Sequence, residues 1–412
     1  LKGLKKLRVD CPDSATREKV KEFEAIDAAL PTPSFAWGSD ILHLRSGYPS
    51  LVELGYRAFE SGQFPDSTTI GQFRETINDL ASVQRCADDA LRGFVFRHAW
   101  FKPKHGPGAV SEQFGESKFD FPSWPWRLEE YFPYDLYGLI NHQVWDGPLP
   151  DRESSAAKLI GVPKDFRGPR LIASEPVSSQ FIQQGIMQVL RKNVSKSFLR
   201  HCIDFRSQEP SQRAALTASY YRDSSTIDLS SASDRLSCAV VESMYRKNYN
   251  FLARFNAART PDIQLMDGSV MRDVKKFAAQ GAAFTFPVQS ICYALICIGV
   301  LASVRGHNRY AELSREVRVF GDDMIVPTDV FDRVTRALSA LFLKVNPDKS
   351  FAKGGFRESC GMDAFKGEDV TSASVLEFYQ PDQPLSLVSA VECSNNLYKK
   401  GFVHASRKLL ET

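Results

Sequence analysis

Arg318-Val319-Phe320-Gly321-Asp322-Asp323-Met324-Ile325-Val326-Pro327 is the stretch on which the reading of this chain turns. Apolar, β-prone residues flank a Gly-Asp-Asp core, which predicts two short buried strands joined by a tight turn. Such a turn lifts two adjacent carboxylates to the tip of a hairpin. Like charges a few Å apart cannot both ionise cheaply, so one pKa rises unless a cation joins them, and hard Mg²⁺ prefers oxygen ligands of this kind. A solvated Asp-rich turn is the plain alternative. The chain holds a second such pair, Asp88-Asp89 in Ala87-Asp88-Asp89-Ala90-Leu91, where a solvated helix face is expected. The apolar flanks of Asp322-Asp323, and its partners elsewhere, set it apart.

The nearest partner upstream is Ser224-Ser225-Thr226-Ile227-Asp228-Leu229-Ser230-Ser231-Ala232-Ser233-Asp234-Arg235-Leu236. It reads as a short strand ending at Asp228, a Ser-rich turn, and a helix capped near Ser233 with Leu236, Val240 and Met244 on one face. An acidic residue directly after buried strand residues needs a partner, which marks Asp228. Asp234 has a capping reading of its own. Between these two segments, Gln280-Gly281-Ala282-Ala283-Phe284-Thr285-Phe286-Pro287-Val288-Gln289-Ser290 leads into an apolar helix. Its small residues suit either close approach of a nucleotide or tight helix packing. Ile263 to Arg272 alternates around Asp267-Gly268, a hairpin pattern.

Downstream, Val330 to Leu343 is amphipathic and helical and runs into Lys344-Val345-Asn346-Pro347-Asp348-Lys349. A Gly-rich turn follows, Lys353-Gly354-Gly355-Phe356-Arg357-Glu358-Ser359-Cys360-Gly361. Upstream, Lys164, Arg167 and Arg170 at intervals of three, broken by Gly-Pro, fit an extended loop that presents several cations to one polyphosphate. From Lys158 to Arg213 there are ten Lys/Arg against four Asp/Glu, a local field that suits phosphates, although a solvated basic face fits as well. Phe181 to Leu190 has helical spacing with a basic end at Arg191-Lys192.

The N-terminal part is predicted helical over Thr16–Leu30, Leu51–Phe59 and Ile70–Phe96. The basic loop Phe101 to Ala109 reads as a phosphate-approaching loop or an ordinary surface loop. Phe119 to Tyr137, rich in aromatics, reads as a base-stacking surface or as packing between subdomains. At 412 residues the chain exceeds one ordinary core, and roughly two or three subdomains are expected. The composition, 43% hydrophobic and 25% charged, is that of a globular protein. The longest apolar run, Ile291 to Ala302, falls short of the ~20 residues that span a bilayer, so it is expected to be a core helix and no membrane partner is expected. Eight cysteines without Cys-x-x-Cys spacing point to buried thiols rather than zinc or disulfides. A net charge of +3 indicates no polyanion by itself. No signal peptide is visible, and a chain beginning with Leu1 rather than Met is expected to be a fragment.

In this order the segments resemble the palm motifs of viral RNA-dependent RNA polymerases, most closely the replicase subunit of single-stranded RNA bacteriophages of the Qβ-like group. The resemblance covers roughly Val162 to Thr371 and is most specific at Val-Pro-Lys through Glu175-Pro176, Asp228-Leu229-Ser230 through Asp234, Gly321-Asp322-Asp323 and Phe356 to Gly361. It implies an α+β right-hand polymerase fold with an antiparallel palm sheet. The expected divisions are N-terminal support and fingers at 1–222, palm at 223–249 and 281–352, a fingers hairpin at 250–280, and a shortened thumb at 353–412.

The resemblance further implies two Mg²⁺ ions, replaceable by Mn²⁺, held by Asp228, Asp322 and Asp323. Lys349 is implied as the general acid, with Lys344 as fallback. Lys164, Arg167 and Arg170 would hold the triphosphate. Asp234, with Gly281, Thr285 and Gln289, would face the ribose, and Phe356, Arg357 and Glu358 would support primer or product. The gap from Asp228 to Asp234 is that of the phage group and one longer than in many other viral polymerases; Gln289 stands where the phage group has Glu and other viral enzymes Asn. Implied partners are template and product RNA, NTPs and, as for phage relatives, host elongation factors Tu and Ts and a ribosomal protein, in the cytoplasm of an infected bacterium. Reverse transcriptase and a non-catalytic RNA-binding scaffold of the same fold are the alternatives.

Overall fold

The computed structural model describes residues 13–64, 67–139, 149–165, 168–373 and 379–411. Five helices come first: α1 (Asp13–Ala29), α2 (Leu51–Glu60), α3 (Ile70–Arg92), α4 (Trp126–Tyr131) and α5 (Tyr134–Tyr137). A capping box starts α3, with the Thr69 hydroxyl accepting from Gln72 N–H and the Gln72 side chain accepting from Thr69 N–H, so two donors that the first turn leaves open are satisfied. The helix ends at Arg92, four residues short of the predicted boundary, because Gly93 releases the chain into an extended run.

Strands β1 (Ala157–Asp165) and β2 (Gly168–Ser174) then pair antiparallel, where an extended loop was expected. Helices α6 (Val177–Lys196) and α7 (Glu209–Tyr221) lead to β3 (Ser224–Ile227) and β4 (Leu229–Ser230). The next helical stretch differs from the reading that capped it at Ser233. One turn, α8 (Ala232–Arg235), is followed by a break, and α9 (Cys238–Tyr245) begins anew with the Ser237 hydroxyl accepting from Val240 N–H. Asp234 lies inside α8 and caps neither helix.

After α10 (Tyr249–Ala258), β5 (Ile263–Gln264) and β6 (Val270–Met271) form the predicted hairpin and extend the β2-β1 pair to the order β2-β1-β5-β6. The predicted core helix is α11 (Thr285–Arg305). It is the one described helix long and apolar enough to cross a membrane, and 89% of that window is buried inside the protein. It crosses α3 so closely that a Cβ on Gly299 would stand 2.4 Å from the Val83 Cα. Continuous with it is most of the buried apolar core, from Leu30 to Leu343.

The remaining elements are α12 (Tyr310–Leu313), β7 (Arg318–Phe320), β8 (Asp323–Pro327), α13 (Phe331–Ala340), β9 (Lys344–Val345), β10 (Phe356–Ser359), β11 (Met362–Phe365), β12 (Glu368–Asp369), α14 (Pro384–Lys399) and α15 (Val403–Leu410). β3, β8 and β7 make an antiparallel sheet with β8 in the middle. Side chains alternate across it. Met324 faces α11, its sulfur 3.8 Å from Cys297 Sγ, whereas Thr226 faces β10, its hydroxyl accepting from Glu358 N–H at 3.4 Å. One face therefore rests on the core and the other opens toward the β10-β11 hairpin.

Much of the aromatic run is packing, with Phe119 and Trp126 exposed. Phe121, Trp124, Phe132 and Tyr134 are buried among Phe96, Phe101 and Phe181, and Trp126 alone of the tryptophans there is well exposed. All seven described cysteines are buried.

Candidate active site

The sheet register assembles the acidic residues. β7 and β8 pair Phe320 with Asp323, which leaves a two-residue loop, Gly321-Asp322. A positive φ of 64° at Gly321 and none at Asp322 is the pattern of a type II′ turn, which suits the twist of the strands it joins. Glycine is required twice over, since a Cβ there would also come within 2.9 Å of the Phe286 ring. Ser290 at the head of α11 accepts from Gly321 N–H at 3.0 Å and fixes the loop against the helix. β3 and β8 pair Ile227 with Met324, so one step further the antiparallel register brings Asp228 alongside Asp323.

Asp228 is held from its other side by the segment after β9. Asn346 donates both its N–H to the Asp228 carbonyl and its side-chain amide to Asp228 Oδ2, each at 2.9 Å. Ser350 Oγ accepts from Asp228 N–H at 3.1 Å. Burial raises the Asp228 pKa, Lys349 opposes this, and Asp322 adds to it. Asp323 is pushed up to about 7, by burial first and then by Asp322, while a hydrogen bond from Cys360 N–H pulls the other way. That N–H comes from the β10-β11 turn, where Cys360 and Gly361 both have positive φ, 50° and 77°. Two positive values are the type I′ pattern, which aims the turn at Asp323.

Lys349 stands across the cleft with Nζ 3.4 Å from Glu358 Oε1. Burial favours its neutral form, but Asp228, Glu358 and Asp323 outweigh it and raise its pKa, so the ammonium keeps its proton at neutral pH. Lys344, the fallback, is exposed on β9. No group of three or more His, Cys, Asp or Glu side chains among the described residues is close enough to hold a metal ion as it stands. The donor set is nevertheless the one hard cations take, carboxylate oxygens, and the negative charge of Asp322 and Asp228 adds to burial in raising the Asp323 pKa.

Asp234 sits on α8, its pKa raised to about 6 by burial, with the buried Lys276 opposing. Tyr293 in α11 is fully buried, donates to the Ala232 carbonyl at 3.0 Å and lies in the field of both Asp322 and Asp234. Gln289 is 7% exposed and packs against Gly321, and its Oε1 has no hydrogen-bond partner, an acceptor left open beside the turn.

Other expected site residues are placed differently. Gly281, φ 126°, meets protein rather than open space: a Cβ would lie 2.1 Å from the Ala173 carbonyl oxygen. The Thr285 hydroxyl donates to Ala279 O at 3.1 Å, six residues back in the segment that leads into α11. Lys164 and Arg170 are exposed on β1 and β2, and Arg167 falls outside the described residues. Arg357 is wholly buried; its guanidinium donates to the carbonyls of Ser224, Ala352, Gly354 and Phe356, which binds the β10 hairpin to β3 and leaves nothing for a nucleic acid. Phe356 packs edge-on against Phe351 at 4.7 Å.

Asn346, Ser290, Cys360 and Tyr293 were not singled out from the sequence. Only Asn346 carried a local signal, an Asx turn in which its side-chain oxygen accepts from Asp348 N–H.

A family model described as RNA replicase, beta-chain, matches residues 149–393. Over 244 residues the chain is 32% identical to the RNA-directed RNA polymerase subunit beta of Escherichia virus Qbeta, taking in 59% of this chain and 38% of that protein. It is 31% identical over 247 residues to the corresponding subunit of Enterobacteria phage SP, covering 60% and 40%. With the RNA-directed RNA polymerase beta chain of Escherichia phage MS2 it shares 31% over 210 residues, 51% and 36%. The matched part thus spans about two fifths of the curated relatives' length. Among solved structures, the RNA-dependent RNA polymerase of a human picorbirnavirus superposes with a TM-score of 0.50 at 13% identity, over 96% of this chain and 77% of that one, a likeness of fold. With the family model matching more than half of the chain and the antiparallel carboxylate hairpin in place, the chain belongs to the RNA replicase beta-chain family and has the α+β right-hand polymerase fold.

Proposed function

We propose that this chain carries the catalytic region of an RNA-directed RNA polymerase, which joins NTPs to an RNA 3′-hydroxyl in the order set by a template. The observation that carries the reading is the register that sets Asp228 beside the Asp322-Asp323 turn, with Lys349 facing them. Asp228 and Asp322, with Asp323 in support, would hold two Mg²⁺ ions. Bound there, the ions would favour the nucleophilic form of the 3′-hydroxyl and offset charge on the departing pyrophosphate. Asn346 keeps the Asp228 carboxylate in place, and the Cys360 N–H orients that of Asp323. The Lys349 ammonium supplies a proton to the leaving group. The exposed Lys164 and Arg170 reach for the triphosphate. Asp234 and the open Gln289 acceptor face the ribose, where an unpaired acceptor costs ~1–3 kcal/mol when a 2′-hydroxyl is missing.

A primer-extension assay on the chain alone, with ribonucleotides and Mg²⁺, tests this. Product is expected from the unaltered chain, with a loss on the order of 10³-fold in Asp228→Asn, which removes several kcal/mol of transition-state stabilisation. Asp234→Ala is expected to relax discrimination against deoxynucleotides. An Asp228→Asn chain that extends primers normally overturns the reading.

A further inference from the structure

Much of the basic excess between Lys158 and Arg213 lies away from the triphosphate segment. Its downstream part is carried by the end of α6 and the turn after it, and the fold lays that turn against the outer edge of the catalytic sheet. Val319 N–H donates to the Cys202 carbonyl at 2.9 Å, and Ile203 pairs with Val319 in a parallel bridge, so the turn runs beside β7. Phe198 stacks on Tyr310 with centroids 5.9 Å apart, tying the turn to the segment before β7 as well. Arg200 and His201 are thereby set beside Arg315 and Arg318, residues distant in sequence.

Burial and then Arg315, Arg200 and Arg318 in turn hold the His201 pKa down, so all three guanidinium groups lie within reach of the imidazole. Of the acids near the turn, Glu316 lies 3.5 Å from Arg305, and Asp204 Oδ1 accepts from Arg206 N–H at 2.8 Å. Among the described residues Arg200, Arg315 and Arg318 form no ion pair. A line of rings joins this patch to the catalytic turn. The Arg191 guanidinium lies over Phe205 at 5.8 Å, Phe205 meets Phe286 at 5.9 Å, and Phe286 meets Phe320 at 4.9 Å, next to Gly321. Arg318, two residues before Phe320 on β7, points to the same side of the sheet.

We propose that Arg200, Arg315 and Arg318, flanked by Arg191, form a phosphate track along the outer edge of the catalytic sheet, which holds the backbone of an RNA strand as it passes the Gly321 turn. The charges call for a polyanion; that it is RNA rests on the polymerase reading. Such contacts fix position and carry no sequence preference.

Filter binding of the full chain to a labelled single-stranded RNA of about 20 nucleotides, from about 50 to about 300 mM KCl without NTPs, tests the track. Each single-strand phosphate contact contributes about 0.7 to the slope of log affinity against log salt. The triple variant Arg200→Gln, Arg315→Gln, Arg318→Gln is expected to lose about 2 from that slope and on the order of 10²-fold in affinity at about 0.1 M salt, equally for RNAs of different sequence. The double variant Arg200→Gln, Arg315→Gln alters only exposed side chains, keeps the fold, and is expected to lose about 1.4. A folded double variant with unaltered slope and affinity overturns the track. Because binding is read without catalysis, a chain that extended no primer would sink the polymerase reading while the slope change still marked a polyanion site.

Discussion

Asp88-Asp89 and Asp322-Asp323 are the same dipeptide on two backbones. On α3, successive side chains point about 100° apart. Asp88 turns inward to a half-buried ion pair with Arg246, Nη2 at 2.6 Å and Nε at 2.9 Å, and Asp89 turns out to solvent. The solvated helix face expected there holds for Asp89 only. At the β7-β8 turn both carboxylates stay near each other, Asp228 joins them, and Lys349, which faces them, is shared with Glu358. An acidic pair matched by an arginine contributes stability; one matched by another carboxylate stores repulsion that a divalent cation can relieve.

Neutralising each pair in turn separates these roles. Asp322→Asn is expected to lower the rate of primer extension on the order of 10³-fold or more while leaving the melting temperature unchanged or raised. Single-turnover extension beside thermal unfolding checks both, and a destabilised, active variant would erase the contrast. Asp88→Asn should do the reverse. It breaks charge-assisted hydrogen bonds worth about 2 kcal/mol in urea unfolding, with extension within a few-fold of the parent.

A smaller effect concerns pH. The folded pKa of Asp323, about 7, lies above the ~3.9 of an unfolded aspartate. Its contribution to stability is therefore complete below about pH 4 and is lost as pH rises through about 7. Without divalent ions the melting temperature should fall by a few degrees between about pH 6 and 8 more steeply in the parent than in Asp323→Asn, and Mg²⁺ should recover the difference at the upper end. Identical slopes for the two proteins would mean that the turn stores no repulsion. Asp89→Asn is the smallest change, within about 0.5 kcal/mol and without effect on extension, because the carboxylate is solvated.

What could be read in advance was local. The hairpin around Gly321-Asp322-Asp323, the strand leading to Asp228, the hairpin around Asp267-Gly268 and the buried helix over Ile291 to Ala302 all follow from residue pattern and are present, although β3 stops at Ile227 and the helix already begins at Thr285. The misreadings share a cause. Ser233 and Ser237 are equivalent cap candidates by composition, and the break between α8 and α9, with Tyr293 holding the Ala232 carbonyl, selects the second. Gly281 suits close approach of a nucleotide or tight packing equally by sequence, and the Ala173 carbonyl shows which of the two it serves. Arg357 has the chemistry of a phosphate ligand and the surroundings of a structural clamp.

By itself the sequence determined the turn that raises two carboxylates, the order of the segments around it and the helix beneath it, because backbone preference and apolar period act over a few residues. Tertiary structure alone decided which charges meet. Asp88 finds Arg246 and Asp228 finds Asn346 across more than a hundred residues, and Arg200 is set beside Arg318 by a single strand edge. The electrostatic meaning of a side chain depends on burial and on its neighbours' charge, and both come into being only when distant segments pack.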